Sequence, residues 1–209
     1  MTSTRVINVI DDDADVRLSV CALVGSMHCE ARGFESAEQF LASAAPESRG
    51  VAVIDLRMTG MNGLELQSEM ARRNPRMPLI FLTAHARTAT TVQAMRAGAL
   101  VMIDKPYHDN DLWDAIRKAL ELEEANWTEH VRKRDILDRL ASLTPEERQV
   151  ADLMILGRAN KVVAMELNIS MRTVEKRRHN VLEKMGVDSV AELVAVVLSA
   201  RNLDPPLSS

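Results

Sequence analysis

Apolar and polar positions follow two different patterns along the chain. In the first 120 residues, short apolar runs alternate with amphipathic stretches of helical period. The apolar runs are Arg5–Ile10, a weaker one near Glu30–Phe34, Val51–Leu56, Leu79–Thr83 and Leu100–Asp104. The amphipathic stretches include Asp15–Ser26, Gly63–Arg73 and Thr88–Ala97. Strands that alternate with helices predict βαβ units and a parallel sheet covered by helices on both faces.

The second pattern begins at Leu143 and contains no strand signal. It predicts four short helices, at 145–156, 159–167, 171–185 and 189–200. Residues 111–140, between the two patterns, have a loose helical period and contain neither Pro nor Gly. We therefore expect an α/β domain over 1–122, a helical linker over 123–142 and an all-α domain over 143–203. A partly helical solvated linker and a dimerising helix both remain open for the middle segment.

The composition of the 209 residues is that of a globular protein, with 46% hydrophobic and 27% charged positions. No apolar stretch approaches membrane-spanning length, and the N-terminal residues lack a signal-peptide pattern. The two cysteines form no metal or redox motif, so we expect a cytoplasmic protein without a membrane partner. Six aromatic residues are too few for a platform that stacks single-stranded nucleic acid.

A net charge of −4 is unfavourable for binding nucleic acid, but this value averages over segments of different charge. Residues 1–139 carry all of that excess acid, whereas residues 172–184 have a net charge of +3. A basic segment of this kind is an electrostatic signature of binding to duplex DNA.

Polar residues end several of the predicted strands. Asp11, Asp12 and Asp13 follow the first strand, and Asp55, Thr83 and Lys105 follow or end later ones. Because ligand sites in such sheets lie at the carboxyl ends of the strands, these side chains are expected to meet. Clustered carboxylates suit Mg²⁺, and a carboxylate also serves as a nucleophile toward phosphorus.

The motifs VIDDD, VIDLRMTGMNG, IFLTAH and MIDKPY together resemble the receiver domain of two-component response regulators, over residues 5 to about 122. The resemblance implies a flavodoxin-like fold with the five strands in the order 2-1-3-4-5. It also implies that Asp55 is the phosphoacceptor. Asp11, Asp12 and Asp55 would hold Mg²⁺ or Mn²⁺, together with the backbone carbonyl of Arg57.

The same resemblance assigns a switch hydroxyl to Thr83 and a phosphate contact to Lys105, with a cis bond between Lys105 and Pro106. Two positions depart from the family. Thr59 replaces the usual Pro, which predicts a turn that is less pre-organised. Met102 stands at the switch position where many members have Tyr or Phe, so the switch itself is expected to differ.

The C-terminal helices contain a helix-turn-helix pattern. Thr144 is placed to cap a helix opened by Pro145, and the helix 171–185 buries one face while its other face is basic. The segment from Leu143 to about Val197 is similar to the four-helix DNA-binding domain of the LuxR, NarL and FixJ type, and the whole chain is most similar to the FixJ subgroup. The DNA-contact candidates are Lys161, Arg172, Thr173, Lys176, Arg177, His179, Asn180 and Lys184.

The resemblance implies a transcription factor rather than an enzyme. A sensor histidine kinase would phosphorylate Asp55, the chain would dimerise through a surface near Thr88–Arg96 and Pro106–Leu112, and helix 171–185 would read promoter DNA. RNA polymerase remains open as a further partner. A dehalogenase-like phosphatase would need a second acid where Arg57 stands. A regulator that acts without phosphorylation and a helical tail that binds protein instead of DNA also remain open.

Overall fold

The computed structural model describes residues 5–44, 48–84 and 88–201, and the chain divides into two compact units, Met1–Trp127 and Thr128–Ser209. The predicted end of the second domain at residue 203 lies outside the described residues. The strands are β1 (Val6–Ile10), β2 (Glu30–Phe34), β3 (Gly50–Asp55), β4 (Leu79–Thr83) and β5 (Val101–Asp104). The helices are α1 (Ala14–Ser26), α2 (Ala37–Ser43), α3 (Gly63–Arg73), α4 (Thr88–Arg96), α5 (Asp109–Ala141), α6 (Pro145–Ile155), α7 (Asn160–Glu166), α8 (Met171–Met185) and α9 (Val190–Arg201).

The five strands form one parallel sheet in the order β2-β1-β3-β4-β5, which confirms the predicted topology. Every residue of β1, β3 and β4 is buried, as expected for strands covered on both faces. The register pairs Asp55 with Leu82, and Thr83 with Asp104. The carboxyl ends of three adjacent strands are therefore level, and their polar residues meet at one edge.

Two apolar cores cover the faces of the sheet. One packs Phe40, Leu66 and Met70 against the sheet, and the other packs Leu112 and Ile116 of α5 against the opposite face. Burial of this apolar area is the main favourable contribution to folding.

The helix α2 was not among the predicted elements. It has only seven residues, too few for a clear helical period, and its N-terminus is capped by the hydroxyl of Ser36, which accepts from Gln39 N at 3.2 Å. Burial of Phe40 and Leu41 holds it in place. Tertiary packing therefore forms this helix, and local sequence contributes only its cap.

The second unit is helical, and its four predicted helices match α6 to α9 within one residue at each end. Thr144 caps α6 as predicted, with Pro145 in the first turn, and the structure adds a reciprocal hydrogen bond to the side chain of Glu147 that completes a capping box. Gly186 ends α8 with φ of 65°, the left-handed conformation that glycine adopts without a Cβ penalty. These helices bury Val150, Val174 and other apolar residues in one core.

The helix α5 is continuous from Asp109 to Ala141 and contributes residues to both units. It covers nearly all of the segment for which a helical linker is predicted. Within the first unit, Arg49 forms a bidentate ion pair with Glu123 of α5 at 2.8–2.9 Å and lies over the ring of Trp127. Within the described ranges, no helix is long and apolar enough to cross a membrane.

Candidate functional site

One lysine joins two aspartates at the carboxyl edge of the sheet. Asp11 follows β1, Asp55 ends β3, and Lys105 follows β5. The Lys105 ammonium lies 2.9 Å from Oδ2 of Asp11 and 2.7 Å from Oδ1 of Asp55. The Lys105–Pro106 bond is cis, as the resemblance implies. The structure thus brings together side chains that are 94 and 50 residues apart in the chain.

Burial and charge act against each other in this cluster. Burial raises the pKa of Asp55, and the neighbouring charge of Asp11 raises it further against the opposing effect of Lys105. Burial also disfavours the Lys105 ammonium, but its hydrogen bonds to Asp55 and Asp11 outweigh that effect and raise its pKa. Two carboxylates stabilise the charged form of Lys105, whereas Asp55 and Asp11 share the stabilising charge of one ammonium. Lys105 is therefore charged at neutral pH.

The loop after β3 holds the second oxygen of Asp55. The backbone N–H of Arg57 donates to Oδ2 of Asp55 at 2.7 Å. Gly63 begins α3 directly beneath this loop, where a Cβ would lie 2.8 Å from the carbonyl oxygen of Asp55 and 3.0 Å from a ring carbon of Phe81. Asp11, Asp12 and Asp55 form what we call the acidic edge of the sheet. Close packing of α3 against this edge therefore requires glycine at position 63.

Asp12 is exposed and is held by the same loop. The N–H and the hydroxyl of Thr59 both donate to its Oδ2, at 2.9 and 2.8 Å. These two hydrogen bonds lower the pKa of the Asp12 carboxyl. From the sequence, Thr59 is expected only to make the turn less rigid. The signal that was missed is that threonine, unlike proline, supplies two donors.

Thr83 and Met102 lie on the other side of Asp55. Thr83 is fully buried at the end of β4, and its carbonyl accepts from Lys105 N at 2.7 Å. Met102 is half-buried in β5, and its sulfur accepts from the hydroxyl of Thr91 at 3.3 Å. An open groove of about 310 Å³ adjoins Met102, between α4 and β5. Space for a side chain to move therefore exists next to the predicted switch position.

The donor set of this edge fits a hard divalent cation. Asp11, Asp12 and Asp55 offer carboxylate oxygens, and Mg²⁺ in proteins is held by one or two carboxylates with several waters. Among the residues that the structure describes, no group of three or more acidic, His or Cys side chains is arranged to hold a metal ion. Lys105 instead contacts the carboxylates of Asp11 and Asp55.

The predicted DNA-contact residues fall into two groups in the second unit. Lys161 of α7 and Arg172, Lys176 and His179 of α8 are exposed, and Arg177 is partly exposed. These side chains provide a basic surface on and beside the predicted reading helix. Thr173 is tied to its own helix start, because its hydroxyl lies 2.8 Å from that of Ser170, the N-cap residue.

The other group makes contacts with α6, and its member Lys184 does so although it is exposed. Lys184 Nζ lies 2.6 Å from Oε2 of Glu147, and Asn180 Nδ2 donates to Oε1 of Glu147 at 3.1 Å. Glu147 is buried and also accepts from the N–H of Thr144, which closes the capping box of α6. The Lys184 hydrogen bond, followed by that from Thr144, lowers the pKa of Glu147. Lys184 and Asn180 thus join α8 to α6, a role that the sequence does not reveal.

The fold and these two surfaces define a class of protein. A 2-1-3-4-5 sheet with a lysine-bridged acidic edge, followed by a helical unit with a basic reading helix, is the architecture of a DNA-binding response regulator. Residues 7–117 match the response regulator receiver domain, and residues 141–197 match the bacterial regulatory proteins of the luxR family. The chain therefore belongs to the response regulators with a LuxR-type DNA-binding domain.

The chain matches several regulators over most of their length. The transcriptional regulatory protein FixJ of Bradyrhizobium diazoefficiens is 37% identical over 204 residues, which cover 98% of this chain and all of FixJ. The transcriptional regulatory protein TdiR of Thauera aromatica is 36% identical, over 91% of this chain and 84% of TdiR. A low-resolution structure of the response regulator StyR is 37% identical with a TM-score of 0.81, over 93% of this chain and 98% of StyR. FixJ and TdiR are transcriptional regulatory proteins, and this family of DNA-binding response regulators is not enzymatic.

Proposed function

We propose that the chain is a phosphorylation-switched transcription factor in which Asp55 accepts a phosphoryl group from a sensor histidine kinase. The observation that carries this proposal is the Lys105 bridge between Asp55 and Asp11. A lysine held against a buried carboxylate is already in place to contact the oxygens of a phosphoryl group on that carboxylate.

The proposed transfer is a displacement at phosphorus. A carboxylate oxygen of Asp55 forms the new P–O bond, while the P–N bond to the kinase histidine breaks and its electron pair returns to the imidazole. Lys105 moves its contact from Asp55 to the phosphoryl oxygens, and the Thr83 hydroxyl turns toward them. Asp11, Asp12, Asp55 and the carbonyl of Arg57 would hold a divalent cation, which would supply positive charge beside the phosphoryl oxygens.

Dimerisation is proposed for the surface formed by Thr88–Arg96 and Pro106–Leu112. Two apolar side chains of α4, Val92 and Met95, are each more than two-fifths exposed. Exposed apolar side chains next to the proposed switch position give a second copy an area to bury. A dimer also presents two reading helices to two half-sites of an operator.

DNA binding is proposed for α8, with Lys161 of α7 at the phosphate backbone. Arg172, Lys176, Arg177 and His179 are the residues whose exposure supports direct contact. For Thr173, Asn180 and Lys184 the contacts inside the fold favour positioning of the helix. We propose the domain division 1–122, 123–142 and 143–203 for this activity, with contact to RNA polymerase left open.

The decisive experiment compares the wild-type chain with Asp55→Asn. Beryllofluoride with Mg²⁺ is expected to raise the dimer fraction of the wild type in sedimentation velocity, and acetyl phosphate to add one phosphoryl group by intact mass. In cells, genome-wide promoter occupancy is expected to fall in the variant. Asp15→Asn, at an exposed aspartate of α1, is the matched control and is expected to behave as the wild type.

An Asp55→Asn chain that dimerises and occupies promoters as fully as the wild type would contradict the proposal. That result would instead support a phosphorylation-independent regulator, for which the departures at Thr59 and Met102 are the available sequence evidence.

A further inference from the structure

Thr59 lies four residues after Asp55, in the loop between β3 and α3, and directs both of its donors to one oxygen atom. Its N–H lies 2.9 Å from Oδ2 of Asp12, and its hydroxyl lies 2.8 Å from the same oxygen. Asp12 is exposed, so burial does not fix its carboxylate. The orientation of this carboxylate is therefore set by Thr59.

The contact is a property of this chain rather than of the fold. The proline expected at this position from the resemblance has no N–H and no hydroxyl, so it can make neither hydrogen bond. The replacement of proline by threonine at position 59 thus adds two donors beside one of the three carboxylates of the acidic edge.

The rest of the loop is held independently of Thr59. The N–H of Met61 donates to Oε1 of Glu38 at 3.0 Å, and Asn62 forms the capping box of α3 with Glu65. These contacts anchor the loop backbone just beyond position 59. A side-chain change at 59 is therefore expected to remove the hydroxyl donor while the N–H donor stays in place.

Both hydrogen bonds from Thr59 are accepted by Oδ2 of Asp12, and Oδ1 accepts neither of them. A carboxylate oxygen has about two lone-pair sites, so two donors occupy those of Oδ2. A cation that binds through Oδ1 leaves both hydrogen bonds intact. Hydrogen bonds that orient a ligating carboxylate in this way typically contribute 10- to 100-fold to metal affinity.

We propose that Thr59 is a positioning residue of the divalent-cation site, which holds Asp12 by Oδ2 so that the carboxylate is already oriented to bind Mg²⁺. The inference deepens the proposed function, because it concerns the cation site of the same acidic edge. It predicts that the affinity for the cation depends on position 59 even when no phosphoryl donor is present.

The test measures the Kd for Mn²⁺ of the full-length chain by the paramagnetic resonance signal of free Mn²⁺, with Mg²⁺ as competitor. Thr59→Ser keeps both donors and is expected to bind as the wild type. Thr59→Val keeps the N–H alone and is expected to lose about 10-fold in affinity. Thr59→Pro removes both donors and is expected to lose about 10- to 100-fold. Thr128→Val, at an exposed threonine of α5, is the matched control.

Urea unfolding in chelator is expected to show all variants folded before metal is added, and Thr59→Val carries the test if Thr59→Pro unfolds. Equal affinity of Thr59→Val and the wild type overturns the inference, and so does tighter binding by Thr59→Val, since the hydroxyl would then compete with the cation. A wild-type chain that binds no Mn²⁺ overturns both the inference and the proposed cation site. The phosphoacceptor role of Asp55 fails separately, on the Asp55→Asn comparison.

Discussion

The ammonium of Lys105 lies 2.7 Å from Oδ1 of Asp55, and the same ammonium is the partner of Asp11. The side chain of Asp55 is 10% exposed and that of Asp11 is 3% exposed, so water solvates neither carboxylate well. The stability of the acidic edge therefore depends on one lysine whenever no cation is bound.

Replacement of that lysine is expected to destabilise the first unit. Lys105→Met leaves two carboxylates close together without their partner, and we expect a loss of about 2–3 kcal/mol, below the roughly 3–5 kcal/mol of a fully buried pair because Lys105 is partly exposed. Urea unfolding in chelator, followed by tryptophan fluorescence, measures it, since both tryptophans lie within residues 1–127. Lys118→Met, at an exposed lysine of α5, is expected to change stability by less than about 0.5 kcal/mol. Equal effects of the two substitutions would contradict the role of Lys105.

The contact between Gly63 and the Asp55 backbone gives a second prediction. Gly63→Ala places a methyl group 2.8 Å from the Asp55 carbonyl oxygen and is expected to destabilise the chain by about 1–3 kcal/mol, as overpacking does. It is also expected to weaken Mn²⁺ binding, because the loop after β3, which holds Asp55, must shift. Gly25→Ala is the matched control: its Cβ meets nothing within 4 Å inside α1, so it is expected to stabilise by about 0.5–1 kcal/mol. A Gly63→Ala chain as stable as the wild type would show that the loop yields freely.

The lowered pKa of Glu147 predicts a pH-dependent contribution to stability. A carboxyl whose pKa is lower in the folded state than in the unfolded one stabilises above its ordinary value of 4.5, and this contribution is lost as the pH falls through the folded value. Glu147→Gln is therefore expected to cost about 1–2 kcal/mol at pH 7, with Lys184 screened by its partial exposure. The gap from the wild type is expected to narrow once the pH falls below 4.5 and to close below the lower pKa of the folded state.

Helical circular dichroism during urea unfolding at pH 7 and near pH 4 measures this gap, since no aromatic residue lies in 128–209 to report by fluorescence. Glu166→Gln, at an exposed glutamate of α7, is the control and is expected to show a gap near zero at both values. A gap for Glu147→Gln that stays constant with pH would exclude the ionised contact with Lys184.

Replacement of basic residues on the exposed face of α8 and replacement of Lys184, which contacts Glu147, are expected to give opposite phenotypes. Lys176→Ala with Arg177→Ala is expected to weaken binding to mixed-sequence duplex DNA and to reduce the slope of log affinity against log salt by about 2, with little change in stability. Lys184→Ala is expected to lower stability instead, because it removes the partner of Glu147. Fluorescence anisotropy at several salt concentrations and urea unfolding separate the two. If Lys184→Ala reduced the salt slope with no loss of stability, Lys184 would be a phosphate contact.

Local signals predicted most of the fold. The buried runs of β1, β3 and β4 and the helix cap at Thr144 are visible in short windows of sequence, and the structure has them at those places. The helix α2 escaped prediction because its stability comes from burial of Phe40 rather than from a helical period.

The contacts of the candidate site were less accessible to the sequence. Motif order predicted that Asp11, Asp55 and Lys105 would meet, because parallel strands end at one edge. The Thr59 contact with Asp12 and the Lys184 contact with Glu147 join residues 47 and 37 positions apart. Both depend on which way a side chain turns once its backbone is in place, and periodicity carries no information about that.

Glu147 serves two structural purposes with one carboxylate, as the end of a capping box and as the anchor of Asn180 and Lys184. Such sharing restricts the order in which mutations can accumulate. A lineage that replaces Glu147 first loses both functions at once, whereas a change at Asn180 alone loses one contact. We therefore expect positions 147, 180 and 184 to vary together among descendants of this gene. Within that constraint, the exposed positions 172 and 176 can change freely, and new operator preferences are expected to arise there first.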